Sequence, residues 1–305
     1  MMRSDLTWNS LLYEYSDRLL KFVINMQTNT LPSPDNLRRW ALKRNVQCGL
    51  CGQLEVALSH ILGGCPWVRN VENQLDREDR YTWRHNNILF MLASVIKDRI
   101  DIVNNLPDSK IRDPLIKFVR AGVAAKKYSS SKSRGILLQA RDWVINFDLP
   151  EFRRPFSKYM FPQDVWATPL KVDGYVISRQ KRICMLTVPM EHNISQWHQS
   201  KLLKYESELR AEAEKNNWKL HCLVLEVGAR GWIPPSVINS LNFLGIPGVG
   251  KICKDLSLIA VKSSYILWIN RFNKDFCPFG LGAKALSTST SVTAINHVAC
   301  NTAVC

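Results

Sequence analysis

Apolar residues recur at helical spacing near the start of the chain. Leu11, Leu12, Tyr15, Leu19, Leu20, Val23 and Ile24 fall on one side of residues 6–28, which predicts an amphipathic helix stopped by Pro32 and Pro34. Residues 87–104 repeat the pattern. From residue 165 the texture changes. VWATPLKVDGYVIS and KRICMLTVPM read as two strands with a turn around Arg179–Gln180. Residues 194–216 predict a long helix, with Leu202, Leu203, Tyr205, Leu209 and Ala213 on its apolar side and Asn216–Asn217 at its end. Residues 220–228 read as a buried strand, residues 234–246 as a helix opened by proline, and residues 256–273 as a last apolar helix. Strand, strand, helix, strand, helix predicts an α/β domain.

Composition narrows the function classes. Of 305 residues, 41 are Lys or Arg and 26 Asp or Glu, a formal net charge of +15. A surplus of that size points to a polyanionic partner, DNA or RNA, rather than a small-molecule substrate. Nine of the basic residues lie in 110–142, against Asp113 and Asp142. The segment SSSKSRG at 129–135 reads as a loop inside that stretch. GIPGVGK at 245–251 lacks the spacing of a phosphate-binding loop and reads as a turn. No apolar run reaches the ~20 residues that span a bilayer, and no apolar stretch follows the charged N-terminus. The chain is read as intracellular and nuclear, in a reducing compartment where its nine cysteines are to be considered for metal before disulfides.

Three of them, with one histidine, have the spacing of a metal site. Cys48, Cys51, His60 and Cys65 form C-x2-C-x8-H-x4-C. Zinc takes four thiolate or imidazole donors at tetrahedral corners, and a tight x2 pair supplies two of them from one turn. Gly49 and Gly52 ease that turn, and LEVALSHIL leads into the second pair. So short a segment builds little core alone, so zinc would supply much of its folding energy. Arg38, Arg39, Trp40, Lys43, Arg44, Trp67 and Arg69 flank the cluster, a mixture suited to phosphate contact and base stacking.

Several blocks together carry a family likeness. TLPSPDNLRRW at 30–40, the cysteine–histidine cluster with SHILGGC at 59–65, and DRYTWRHNNIL at 79–89 resemble the segment that follows the reverse transcriptase in R-element-type non-LTR retrotransposons. MLTVPMEHNISQWHQSKLLKY at 185–205 and CLVLEVGARGWIPPS at 222–236 resemble the restriction-like endonuclease that ends those polyproteins. The likeness runs from about residue 8 to about residue 275, and no reverse transcriptase palm is present. It implies a helical segment over 1–45, a CCHC zinc knuckle over 46–68, a helical and basic region over 69–150, and an endonuclease domain over 151–275. A tail follows over 276–305, which from Lys284 onward holds no Asp, Glu, Arg or further Lys and is expected to be disordered. Leu11, Leu12, Leu19 and Leu20 would have faced the missing reverse transcriptase. The implied fold is an α/β core similar to the PD-(D/E)xK nucleases, and the implied activity is nicking of a DNA target strand.

That chemistry needs carboxylates to hold Mg²⁺, and a lysine beside the attacking water. The resemblance places the first carboxylate at Asp173, after Lys171 and Val172, where the family has proline in place of valine. It places the second at position 185, which is Met185 here. A hairpin centred near Arg179 would set Asp173 and Met185 opposite each other, and a thioether is a poor ligand for Mg²⁺. Glu191 lies about 20 Å further along an extended strand and would need a bend after Pro189 to substitute. Glu226 is another candidate, and the family's lysine maps to Lys201 or Lys204. The expectation is a nucleic-acid-binding protein that keeps structural zinc and has weakened or lost its Mg²⁺-dependent nicking. The alternative is a purely non-catalytic binding module.

Overall fold

The computed structural model describes residues 15–69, 80–107, 135–152, 172–188, 210–211, 213–276 and 278. Ser16 opens the first helix, α1 (Asp17–Gln27), by accepting from the Leu19 N–H at 3.4 Å. Leu19, Phe22, Val23 and Met26 form its buried face, and Phe22 meets Tyr265 and Trp268 at ring-centroid distances of 5.2 and 6.4 Å. Leu19 is thus core rather than a leftover docking surface, whereas Ile24 points outward. Leu11 and Leu12 lie outside the described residues. Pro34 begins a helix instead of only ending one: α2 (Pro34–Arg39) starts behind Ser33, which accepts from the Asn36 N–H at 3.4 Å.

After the cysteine–histidine segment come a short α3 (Pro66–Arg69) and α4 (Arg80–Asn104). α4 extends the helix expected over 87–104 by two turns at its start. Four strands follow: β1 (Trp143–Phe147), β2 (Gly174–Ser178), β3 (Ile183–Val188) and β4 (Lys219–Val224). They form one mixed sheet in the order β1-β2-β3-β4, antiparallel except for the parallel β3–β4 pair. Residues 210–211 and 213–215 are helical and lead into β4. α5 (Pro235–Leu244) and α6 (Val249–Ile269) complete the described fold. The sheet begins at Trp143, upstream of residue 151. No helix among the described residues is long and apolar enough to cross a membrane.

The sheet separates two apolar clusters. The larger contains Val176, Ile183, Met185 and Leu223 from the strands together with residues of α1, α4, α5, α6 and the cysteine–histidine segment. The smaller holds Val172, Tyr175, Ile177, Cys184, Ala213, Trp218 and Leu220. This division follows the period of two along each strand. An α/β fold is therefore present, as helices around a small mixed four-stranded sheet.

One backbone crossing is intolerant of side chains. A Cβ at Gly135 would fall 2.1 Å from the Cα and N of Gly245, which itself has φ +77°. Backbone cannot swing aside as a flexible side chain can. Gly135→Ala is expected to cost about 2 kcal/mol or more and to lower the thermal midpoint by several degrees. A melt indistinguishable from that of the wild type would show this contact to be loose.

Candidate metal centre

The cysteine–histidine segment folds as two turns facing one another. In the first, the Cys48 N–H donates to Gln53 O at 2.8 Å and the Gly52 N–H to Cys48 O at 2.9 Å. Gln47 and Leu54 bridge in antiparallel sense. This tight loop turns the Cys48 and Cys51 thiols to one side. Gly49 is held to hydrogen by its neighbours: a Cβ there would meet the Phe272 ring at 2.2 Å and Arg271 O at 3.1 Å, so the chain just after α6 lies against the metal turn.

The second turn is π-helical, His60–Gly64, with Cys65 as its C-cap. A π-turn closes i to i+5, which brings the five-apart pair His60 and Cys65 round to the same side. Tyr81 of α4 plugs it. The Cys65 N–H donates to the Tyr81 hydroxyl at 3.2 Å, and that hydroxyl has His60 O at 3.1 Å and Ile61 O at 3.0 Å as acceptors. Burial pushes the Tyr81 phenol well above its ordinary range. Arg69 donates from Nη2 to Gly63 O at 2.8 Å, closing the turn's last carbonyls.

The four ligand atoms lie within 4.8 Å of one another. Cys48 Sγ and Cys65 Sγ are 3.9 Å apart, and Cys51 Sγ is 3.3 Å from His60 Nε2. Zinc–sulfur bonds of about 2.3 Å at tetrahedral angles set ligand atoms roughly 3.8 Å apart, so the cluster fits the ion. The contact between the two thiols holds Cys48 below the ordinary thiol range, while the same contact and burial push Cys65 up. A Cys3His site able to bind zinc is present at the residues expected from their spacing.

The flanking residues divide in two. Trp67 is part of the fold: the Arg80 guanidinium sits 5.4 Å from its ring and 5.2 Å from the Phe276 ring, and also donates to Asn270 O at 3.1 Å. Arg69 is spent on Gly63 O. Arg39, Trp40, Lys43 and Arg44 are exposed.

A second grouping forms at one end of the sheet. β1 ends at Phe147 opposite Gly174, which also lies opposite Thr187; Val188 and Val224 end the parallel pair together. Asp148 and Asp173 therefore flank the same sheet end beyond which Glu226 follows β4. The Asp148 N–H donates to Asp173 O at 2.9 Å. Asp173 is about one-third exposed, and its Oδ1 lies 3.5 Å from Nε2 of His85 on α4. Glu226 is buried at 1 % exposure. Spacing could not have paired His85 with Asp173, because the two stand on elements far apart in sequence. Among the described residues, the cysteine–histidine set alone brings three or more metal-ligand side chains together. Glu191, Lys201 and Lys204 lie outside the described residues.

The strand register corrects one expectation. Met185 stands opposite Val176, not Asp173. The hairpin closes on Ser178↔Ile183 through a four-residue loop that Asp142 braces, accepting from Ser178 Oγ at 2.6 Å and the Gln180 N–H at 2.7 Å. That anchor moves the register away from a turn centred at Arg179. Met185 is fully buried in the larger apolar cluster.

Neither protein-family models nor curated proteins match this chain.

Proposed function

We propose that the chain is a zinc-stabilised nucleic-acid-binding protein with a restriction-endonuclease-like core. It would derive from the C-terminal region of a non-LTR retrotransposon polyprotein, with its DNA-nicking activity weakened or lost. The observation that carries this reading is the order helix, three antiparallel strands, helix, parallel strand around a sheet whose one end gathers Asp148, Asp173 and Glu226. Ligands of open α/β sheets bind at such carboxyl ends of parallel strands. The net charge of +15 supports a polyanionic partner.

Asp173, the half-buried carboxylate at that end to which the resemblance assigns the metal, is the residue that would hold Mg²⁺, which supplies activation of water and stabilisation of the pentavalent phosphate. Asp173 is joined there by the His85 imidazole, and Mg²⁺ prefers hard oxygen donors. The buried Met185 brings no carboxylate into reach. This donor set supports binding over cutting.

A supercoiled plasmid tests both parts. Incubated with Mg²⁺ or Mn²⁺, the protein is expected to nick no faster than its Asp173→Ala variant. Robust cleavage abolished by Asp173→Ala would establish a working nuclease instead. In a parallel titration, DNA affinity is expected to fall steeply between 50 and 200 mM salt, by about tenfold or more, as neutralised phosphates release counterions. No measurable binding at low salt would remove the nucleic-acid reading altogether.

A further inference from the structure

Among the described residues β4 pairs with β3 alone, and a cavity of about 780 Å³ is lined by successive residues along that edge strand. Small-ligand pockets span roughly 300–1,000 Å³, so one molecule of moderate size fills it. Arg210 and Glu214 reach it from the helical residues before β4, Lys219 and His221 from the strand, and Asn239 and Phe243 from α5. The backbone fixes the turn between helix and strand. Asn217 takes a positive φ of 57°, the Trp218 N–H donates to Ala213 O at 2.7 Å, and the Lys219 N–H donates to Arg182 O at 2.7 Å. Asp173, Glu226 and the zinc ligands take no part in this lining.

Its walls differ in chemistry. Two cations, Arg210 and Lys219, stand with one carboxylate, Glu214. Their charge is felt at His221: burial first, then Lys219 and Arg210, hold its imidazole below the ordinary range. His221 Nε2 is closed off from solvent and has no hydrogen-bond partner among the described residues. The imidazole is therefore uncharged at neutral pH. Its ring centroid lies 5.1 Å from that of Phe243, tilted by 53°. Phe243 is 39 % exposed, which leaves an aromatic face for a flat group. Asn239, four residues before it on α5, offers both a donor and an acceptor.

An inorganic anion would use the cations and leave the ring and the amide idle. A purely apolar ligand would strip water from Arg210 and Lys219 without offering a counter-charge. A ligand with a phosphate at one end and a flat, hydrogen-bonding ring at the other uses every wall. Glu214 suits the part between them, because carboxylates accept from ribose hydroxyls.

We infer that this cavity binds a ribonucleoside monophosphate, with its phosphate between Arg210 and Lys219, its ribose against Glu214 and its base on Phe243 beside Asn239. The site goes beyond the nucleic-acid reading above and does not depend on it. Such a unit arrives either as a free nucleotide or as the phosphorylated end of an RNA strand, with the same chemistry.

Isothermal titration calorimetry of the full zinc-loaded chain with AMP tests it. AMP is expected to bind saturably, with adenosine and inorganic phosphate each weaker by about tenfold or more. Arg210→Gln with Lys219→Gln is expected to weaken AMP binding by about tenfold or more. Both side chains are exposed, so the variant's thermal melt should match the wild type. Glu214→Ala should remove the preference for AMP over its 2′-deoxy form. The His221 NMR signal, assigned with His221→Asn, supplies a readout that diffuse charge attraction would not move. Bound AMP should raise its titration midpoint by about half a pH unit or more, as the phosphate offsets the two cations. Competition by a 5′-phosphorylated RNA trinucleotide would make a strand end the source, and no competition a free nucleotide; both outcomes support the site. No AMP binding, equal affinities for AMP and inorganic phosphate, or an Arg210→Gln, Lys219→Gln variant that binds like the wild type would overturn the inference, whatever the DNA titration shows.

Discussion

Cys65→Ser is expected to reduce bound zinc from about one ion per chain to near zero and to lower the thermal midpoint by ten degrees or more. Cys65 is wholly buried, and its backbone N–H is tied to Tyr81. Serine offers no thiolate, and three remaining ligands hold zinc far more weakly than four. Structural zinc in isolated finger peptides contributes roughly 10–16 kcal/mol of apparent folding free energy. Here the gain is smaller, because Leu50, Val56, Leu58, Leu62 and Val68 also pack into the larger cluster that includes α4 and α6. A loss of several kcal/mol remains, since the two turns are otherwise short and π-helical backbone is uncommon without a functional reason. The test pairs elemental metal analysis with thermal unfolding before and after prolonged EDTA. Wild type treated with EDTA should melt like Cys65→Ser, and EDTA should not lower the variant's midpoint further. Acid should release the ion too, because thiolates and imidazole must be deprotonated to bind it. Cysteines that were only core residues would give the opposite pattern: no zinc, no effect of EDTA, and a modest cost for the substitution.

The metal site was legible because its information is local. C-x2-C and H-x4-C each close within one turn, and only the meeting of the two turns required the fold. Tyr81 and the π-turn were not legible, since nothing in a tyrosine inside a helical segment tells which carbonyls its hydroxyl will serve. The helix over 87–104 and the order of strands after residue 165 could be read from their periods. β1 could not: WVINF is brief and follows a basic stretch, so its pairing with β2 is decided by the sheet. The hairpin register failed for a definable reason. A turn placed at Arg179–Gln180 ignores Asp142, an acceptor outside both strands that fixes Ser178 and Gln180. Likewise the buried face of α1 takes in Phe22 and Met26 and leaves Ile24 exposed, with Leu20 at its margin, because the aromatic residues of α6 select the side that packs. His85 beside Asp173 is the same lesson at longer range.

Met185→Glu is expected to destabilise the protein strongly and to leave nicking unrestored, although the proposed retrotransposon origin would imply a carboxylate at this position. Met185 has no exposed surface, lies in the larger apolar cluster, and faces Val176 across the hairpin. Asp173 lies three residues before Val176, just ahead of β2, about 10 Å away at the rise of a strand. A glutamate at 185 would lose its hydration without gaining a cation or a partner. Buried glutamates of this kind titrate near 8–9 against about 4.3 when unfolded. The raised folded value makes the penalty vanish below about pH 4.3, where both states are protonated, and grow with pH until it levels off above about 8. At pH 7 the gap of nearly three units amounts to roughly 3–4 kcal/mol, added to the lost packing of the thioether. Met185→Gln separates the two contributions, since it shares the polarity and shape but carries no titrating proton. Urea unfolding at pH 5 and pH 7 should therefore show Met185→Glu losing stability relative to Met185→Gln as pH rises. A stable Met185→Glu protein that nicks plasmid with Mg²⁺ and stops when Asp173 is replaced by alanine would reverse this conclusion. It would put position 185 within reach of the same ion as Asp173, and would mark the methionine as the change that silenced the enzyme.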